Sequence, residues 1–265
     1  MIRVGVLGAA GRMGQLVCRA VADDPELALV AAIDPVAGGQ PVGSLIGHPK
    51  NDVTISEELD ILLQAETEVA VDFTHPATVM DDIRWAIEHA MHIVVGTTGI
   101  TPEHLGEIEY LLEKEGGESN VLVAPNFAIG AVLMQRFAAE AARFFPAVEI
   151  IELHHEGKAD APSGTALDTA MRLAKERREA YAGPDGEALG GVRGGDIEGI
   201  RIHAVRLPGL VAHQEIIFGA QGQTLTIRHD SLDRTSFMPG VLIAIKAIHG
   251  RPGLTVGLEQ LLDEQ

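Results

Sequence analysis

The stretch Ile2-Arg3-Val4-Gly5-Val6-Leu7-Gly8-Ala9-Ala10-Gly11-Arg12-Met13-Gly14 decides the reading of this chain. Its apolar run stops at Gly8, as a strand buried on both faces should. Met13, Leu16, Val17, Ala20 and Val21 then recur at the spacing of an amphipathic helix. A second apolar run, Leu27 to Ile33, ends at Asp34, which completes a βαβ unit.

Small residues where a strand becomes a helix let the backbone approach a pyrophosphate. The helix start offers unpaired N–H groups and partial positive charge. Gly8, Gly11 and Gly14 are spaced GxxGxxG rather than GxGxxG, so the string alone is a weak signal and an unliganded tight turn is its plain alternative. The context carries the reading: a strand before, a helix after, and Asp34 20 residues beyond Gly14. A carboxylate there can accept hydrogen bonds from ribose hydroxyls and repels a 2′-phosphate. With Pro35 next to it and only Arg12 near in sequence, NADH is expected to serve at least as well as NADPH.

Working outward, Pro35 to Asn51 reads as a long loop and Glu68 to Phe73 as a strand. In Thr74-His75-Pro76, either Thr74 or His75 precedes a proline suited to a first helical turn, and a helix runs through Trp85. His92 to Val95 is a strand, Thr101-Pro102 opens a helix, and Asn120 to Ala124 is another strand. This alternation predicts an α/β, Rossmann-like doubly wound parallel sheet. Gly96-Thr97-Thr98-Gly99 and Ala124-Pro125-Asn126-Phe127 follow two of its strands, where ligands bind in such sheets; each taken alone reads more readily as a tight turn.

After Ala124 the rhythm changes. A helix near Gly130 to Phe145 precedes a strand at Val148 to His154 and a helix from Ser163 toward Tyr181. Gly183 to Gly195 is a glycine-rich loop. The runs Ile200 to Leu207, Val211 to Phe218 and Thr224 to His229 follow without helices, the last two joined by a turn over Gly219 to Gln223. They predict a second, α+β domain with an open mixed or antiparallel sheet. A last helix near Phe237 to Ile248 is expected to return to the first domain. The expected domains are 1–126 with 236–265, and 127–235.

With 20 Lys and Arg against 38 Asp and Glu, the formal charge is −18, which repels phosphate backbones and anionic lipid; no nucleic-acid partner is expected. No apolar stretch approaches a membrane span, and the glycine motif in the first apolar run argues against a signal peptide. Cys18 is the single cysteine, so no intrachain disulfide forms and a reducing, cytoplasmic setting is expected.

In so acidic a chain a cluster of cations is informative. Glu152-Leu153-His154-His155-Glu156-Gly157-Lys158-Ala159-Asp160-Ala161-Pro162-Ser163-Gly164-Thr165-Ala166 places two histidines at a strand end, Lys158 in a loop, and a helix start at Ser163-Gly164-Thr165. An anionic group fits against such a start, with the Ser163 and Thr165 hydroxyls as further donors. The plain reading is a core histidine, a solvated lysine and an N-cap serine. Adjacent histidines on a strand point to opposite faces and no cysteine is near, so no metal site is expected.

Taken together, Gly8 to Gly14, Asp72-Phe73-Thr74, Gly96 to Gly99, Ala124 to Phe127, Glu152 to Ala166 and Ile227-Arg228-His229-Asp230-Ser231 resemble the 4-hydroxy-tetrahydrodipicolinate reductase family across nearly the whole chain. The resemblance implies a nucleotide-binding first domain and a second domain that binds a small dicarboxylate and builds a homotetramer. It implies His154 as general acid/base, Lys158 as proton donor, and His155, Ser163, Gly164 and Thr165 around a substrate carboxylate. Gly8, Ala9, Ala10, Gly11, Arg12, Met13, Asp34, Gly96, Thr97, Thr98, Ala124, Pro125, Asn126 and Phe127 would then line an NADH or NADPH site, in a cleft that closes on its ligands. Two rivals share the first domain: another two-domain amino-acid dehydrogenase, and a nucleotide sensor without turnover. The first does not account for the cationic segment, and the second would show a missing cation there, where none is missing.

Overall fold

The computed structural model describes residues 1–179, 181, 183 and 186–263. The chain divides into two compact units, Met1–Phe127 with Phe237–Gln265, and Ala128–Ser236.

In the first unit, β1 (Ile2–Leu7), α1 (Arg12–Asp23) and β2 (Leu27–Ile33) form the expected βαβ start. Two short helices follow, α2 (Val42–Ile46) and α3 (Ile61–Gln64). The expected loop over Pro35 to Asn51 therefore contains a helical turn, closed by Gly47 at φ +72°. Five residues are too few to show a 3.6-residue period.

Next come β3 (Val69–Asp72), α4 (Val79–Glu88), β4 (His92–Val95), α5 (Pro102–Lys114) and β5 (Asn120–Val123). The helix expected to open at Pro76 begins at Val79 instead. The Thr78 and Val79 N–H groups both turn back to the His75 carbonyl, so Pro76 lies in the turn before the helix. α5 starts as expected: the Thr101 hydroxyl accepts from the His104 N–H and His104 Nδ1 accepts from the Thr101 N–H, a reciprocal cap.

The second unit holds α6 (Ile129–Ala142), β6 (Ala147–His154), α7 (Gly164–Glu176), β7 (Gly195–Ile197), β8 (Ile200–Arg206), β9 (Ala212–Ala220) and β10 (Gln223–Ser231). α7 stops at Glu176, well short of Tyr181. β7 takes the end of the expected glycine-rich loop, of which 184 and 185 lie outside the described residues. The hairpin turn is tighter than expected: Ala220 pairs with Gln223, which leaves only Gln221 and Gly222 in it, with Gly222 at φ +77°. The chain then returns to the first unit as α8 (Met238–Ala247), β11 (Gly253–Val256) and α9 (Glu259–Leu262).

The first sheet is parallel throughout, in the order β2-β1-β3-β4-β5-β11. β11 has no counterpart in the sequence reading: four residues beginning with glycine give no readable run. On one side of this sheet Ile83, Ile87, Ile108 and Leu112 pack on Ile93, Val95 and Val121.

The second sheet runs β10-β9-β6-β8-β7 and is mixed: β6 and β8 pair in parallel, and β10–β9, β9–β6 and β8–β7 pair antiparallel. Val148, Ile150, Ile202, Ile216 and Phe218 are buried with Ala138, Ala170 and Leu173 of α6 and α7. The opposite face is mixed, with Ile151, Leu153, Val205 and Ile217 set among charged residues. There Glu149 meets Arg193 and His203, and Glu215 meets Arg228. Among the described residues no helix is long and apolar enough to cross a membrane.

Candidate active site

At the first junction, a Cβ on Gly14 would lie 2.0 Å from the Gly8 carbonyl oxygen, and Gly8 itself has φ +74°. Only glycine allows the helix to start this close to the turn. Gly11 is the N-cap and no side chain caps α1, which leaves its first N–H groups for a ligand. Asp34 is buried. Its carboxylate accepts the Ala10 N–H at 3.0 Å and the Val36 N–H at 3.0 Å. It therefore holds the glycine turn as well as placing negative charge where a ribose would lie. Arg12 is exposed and forms no ion pair among the described residues.

The other expected nucleotide segments gather at the carboxyl ends of neighbouring strands. Phe73, after β3, packs against Phe127, after β5, with ring centroids 5.9 Å apart. A Cβ on Gly96 would sit 2.3 Å from the Phe73 ring, so the loop after β4 fits against the same phenyl group. Thr97 is buried and donates to Asp72 at 2.5 Å. Thr98 is exposed, while Ala124 and Phe127 are buried. The glycine cradle, uncapped helix and adjoining loops fit a dinucleotide.

The second junction is built on charge. Glu152 is 0% exposed. Arg206 grips it with two bonds, Nη1 to Oε2 at 2.9 Å and Nη2 to Oε1 at 2.8 Å. The Ser163 N–H donates to Oε1 at 3.2 Å, and His154 Nδ1 lies 2.5 Å from Oε2. A carboxylate can only accept, so Nδ1 carries the hydrogen and the neutral imidazole is left with a bare Nε2. Burial pushes the His154 pKa below its ordinary value, and Lys158 and Arg206 push the same way against Glu152. The ring is thus neutral near pH 7.

Lys158 is held by Asp160 at 2.7 Å. Ser163 caps α7, its hydroxyl accepting the Ala166 N–H at 3.2 Å, and is buried. That cap and the Glu152 bond leave Gly164 and Thr165 as the accessible helix start; no atom lies within 4 Å of a Cβ built on Gly164. His155 is exposed.

The sequence reading placed His154, His155, Lys158 and the helix start together, and in the structure they share this junction. It missed two residues. Glu152 was quoted without a role, although a buried acid two positions before a histidine on a strand shares that histidine's face. Arg206 carries no local signal. It reaches the site because β8 pairs in parallel with β6, Arg206 opposite His154.

Known proteins agree along the whole chain. The family model described as dihydrodipicolinate reductase, N-terminus, matches residues 2–127, and that for the C-terminus matches 130–262. A protein of Nocardia farcinica (strain IFM 10152) called 4-hydroxy-tetrahydrodipicolinate reductase is 52% identical over 266 residues, covering 99% of both chains. One of the same name from Mycobacterium sp. (strain KMS) is 50% identical over 265 residues, again with 99% of both covered. Among solved structures, the dipicolinate-bound dihydrodipicolinate reductase from Paenisporosarcina sp. TG-14 matches with a TM-score of 0.84 at 41% identity, over 98% of this chain and 99% of that one. With both of its units matched, the chain belongs to the dihydrodipicolinate reductase family.

Proposed function

We propose that this chain reduces 4-hydroxy-tetrahydrodipicolinate to tetrahydrodipicolinate, with loss of the 4-hydroxyl as water, in the route to diaminopimelate and lysine. The observation that carries the reading is the β6–α7 junction, where a neutral imidazole, a lysine and an open helix start adjoin one buried ion pair. Its relatives bear the reductase name, and one solved relative holds dipicolinate, a dicarboxylate.

NADH or NADPH, held by the first unit, supplies the hydride. Gly8, Ala9, Ala10, Gly11, Arg12 and Met13 bind its pyrophosphate, Asp34 its ribose, and the loops at Gly96, Thr97, Thr98 and at Ala124, Pro125, Asn126, Phe127 the rest. Asp34 makes NADH at least as good a donor as NADPH. The substrate carboxylate lies against the Gly164 and Thr165 N–H groups with His155 beside it; Ser163 acts by capping that helix.

Hydride addition leaves an electron-rich carbon or nitrogen on the ring, which takes a proton from Lys158, with His154 exchanging protons through Nε2. Glu152 fixes the His154 tautomer, and Arg206 holds Glu152 in place through two bonds. The enzyme works as a cytoplasmic homotetramer assembled through the second unit.

The test is the loss of reduced-nicotinamide absorbance with the condensation product of aspartate semialdehyde and pyruvate made in situ. Lys158→Ala should lower kcat by about 100-fold or more and leave the NADH Kd within about twofold. Near-normal kcat in that variant removes Lys158 from the mechanism. No turnover with either nucleotide, despite tight binding, sinks the substrate assignment.

A further inference from the structure

Asp72 closes β3 and is 0% exposed. Its Oδ1 takes three donors: the Thr74 N–H at 3.0 Å, the Thr74 hydroxyl at 2.9 Å and the Thr97 hydroxyl at 2.5 Å. Its Oδ2 is also buried and has no donor. A second carboxyl stands next to it, that of Asp82 on α4, whose Oδ2 lies 3.2 Å from the same Thr74 hydroxyl.

The count of hydrogens does not close for two carboxylates. The Thr74 hydroxyl has one hydrogen and two carboxyl oxygens beside it, and Asp72 Oδ2 has none to accept. One additional proton completes the network. Placed on Asp82, it lets that acid donate to Asp72 or to Thr74.

The surroundings offer no substitute charge. On α4, Asp81 adds a further negative charge, and Arg84 is taken up by Asp81 and by Glu107 of α5, each at 2.7 Å. His75 Nδ1 accepts the Ala77 N–H at 3.2 Å, and His104 closes the cap of α5. Among the described residues, no lysine, arginine or histidine forms an ion pair with Asp72 or Asp82.

We infer that Asp72 and Asp82 share a single proton, and that the protonated pair is a positioning device that sets Thr74 and Thr97 for the nicotinamide nucleotide. Burial, with the Asp72 charge next, pushes the Asp82 pKa up to about 7, so the device switches near neutral pH. The folded pKa lies above the unfolded one. The pair's contribution to stability is therefore complete below the ordinary carboxylate range and is lost as pH rises through about 7. Above it, two adjacent charges repel, the Thr97 anchor loosens, and negative charge faces a pyrophosphate.

The inference rests on the strand ends being the nucleotide site. Binding of NADH is measured by its fluorescence, without substrate, from about pH 6 to about pH 8.5. Wild-type Kd should rise about tenfold across that range. Asp82→Asn, which carries a permanent donor, should flatten the profile at the tight, low-pH affinity. A flat wild-type profile, or an unchanged slope in Asp82→Asn, overturns the proposal. Calorimetry on the wild type near pH 7.5, in buffers of different ionisation enthalpy, should show proton uptake on binding; absence of uptake overturns it without any variant. If neither NADH nor NADPH binds at any pH, the nucleotide site itself falls and takes the inference with it.

Discussion

Each unit has one junction that passes from a strand into a helix at candidate site residues, yet the two are finished in opposite ways. At β1–α1 the helix start has no side-chain cap and is packed on glycine. At β6–α7 the start is capped by Ser163 and tied to buried Glu152, which pairs with half-buried Arg206. The first is a bare cradle for a large anion carried by many contacts, so it needs space and free N–H groups. The second, in the role proposed for it, has to fix a reacting proton, and its polar groups are held from behind. Binding asks for vacancy, and proton transfer asks for rigidity.

Substitutions should separate the two. Glu152→Gln should do the most, because it leaves Arg206 without its counter-charge and frees the His154 tautomer. A stability loss of about 3 kcal/mol in urea unfolding and a kcat lower by about 100-fold are expected, with NADH affinity kept. Full activity would break the contrast, since the second junction would then not depend on its buried charge. Gly14→Ala comes next. Its methyl meets the Gly8 carbonyl, so about 1–3 kcal/mol and most of the NADH affinity should go; a variant that binds NADH normally shows the cradle has slack.

Ser163→Ala sharpens the comparison within the second junction. Loss of an ordinary cap costs about 1 kcal/mol, and turnover should fall only modestly because the backbone N–H to Glu152 survives. The smallest effect is expected at the start of β4, where His92 Nδ1 accepts the Asn120 N–H at 3.0 Å. Burial, with His249 next, holds the His92 pKa below its ordinary 6.5. Its contribution to stability is full above that value and is lost as pH falls below it. The wild-type melting temperature should sag mildly on acidification, and His92→Asn should remove part of the slope; an identical slope would clear His92 of the effect.

The parts of this molecule that could be read from the sequence are those whose cause is local. The apolar runs of β1 to β5, the glycine spacing before α1, and the Thr101 and Ser163 caps all act within a few residues. What could not be read arises from distant pairing. Arg206 meets Glu152 only through a parallel strand 54 residues away. Asp72, Asp82 and Thr97 converge from a strand, a helix and the loop after a second strand, and nothing at any one of them announces the other two. β7 and β11 are too short to carry a period, and both are strands because a neighbour offers them an edge.

The return of the chain to the first sheet has a consequence for how the protein is made. α8 and β11 belong to the first unit, but they are encoded after the whole of the second. During synthesis the second unit, Ala128–Ser236, is therefore complete while the nucleotide-binding sheet still lacks the strand that covers β5. Domains fold as units when their sequence is available. His154 and the Glu152–Arg206 ion pair can thus form on the ribosome first, and the first sheet is finished only when residues 253–256 have emerged.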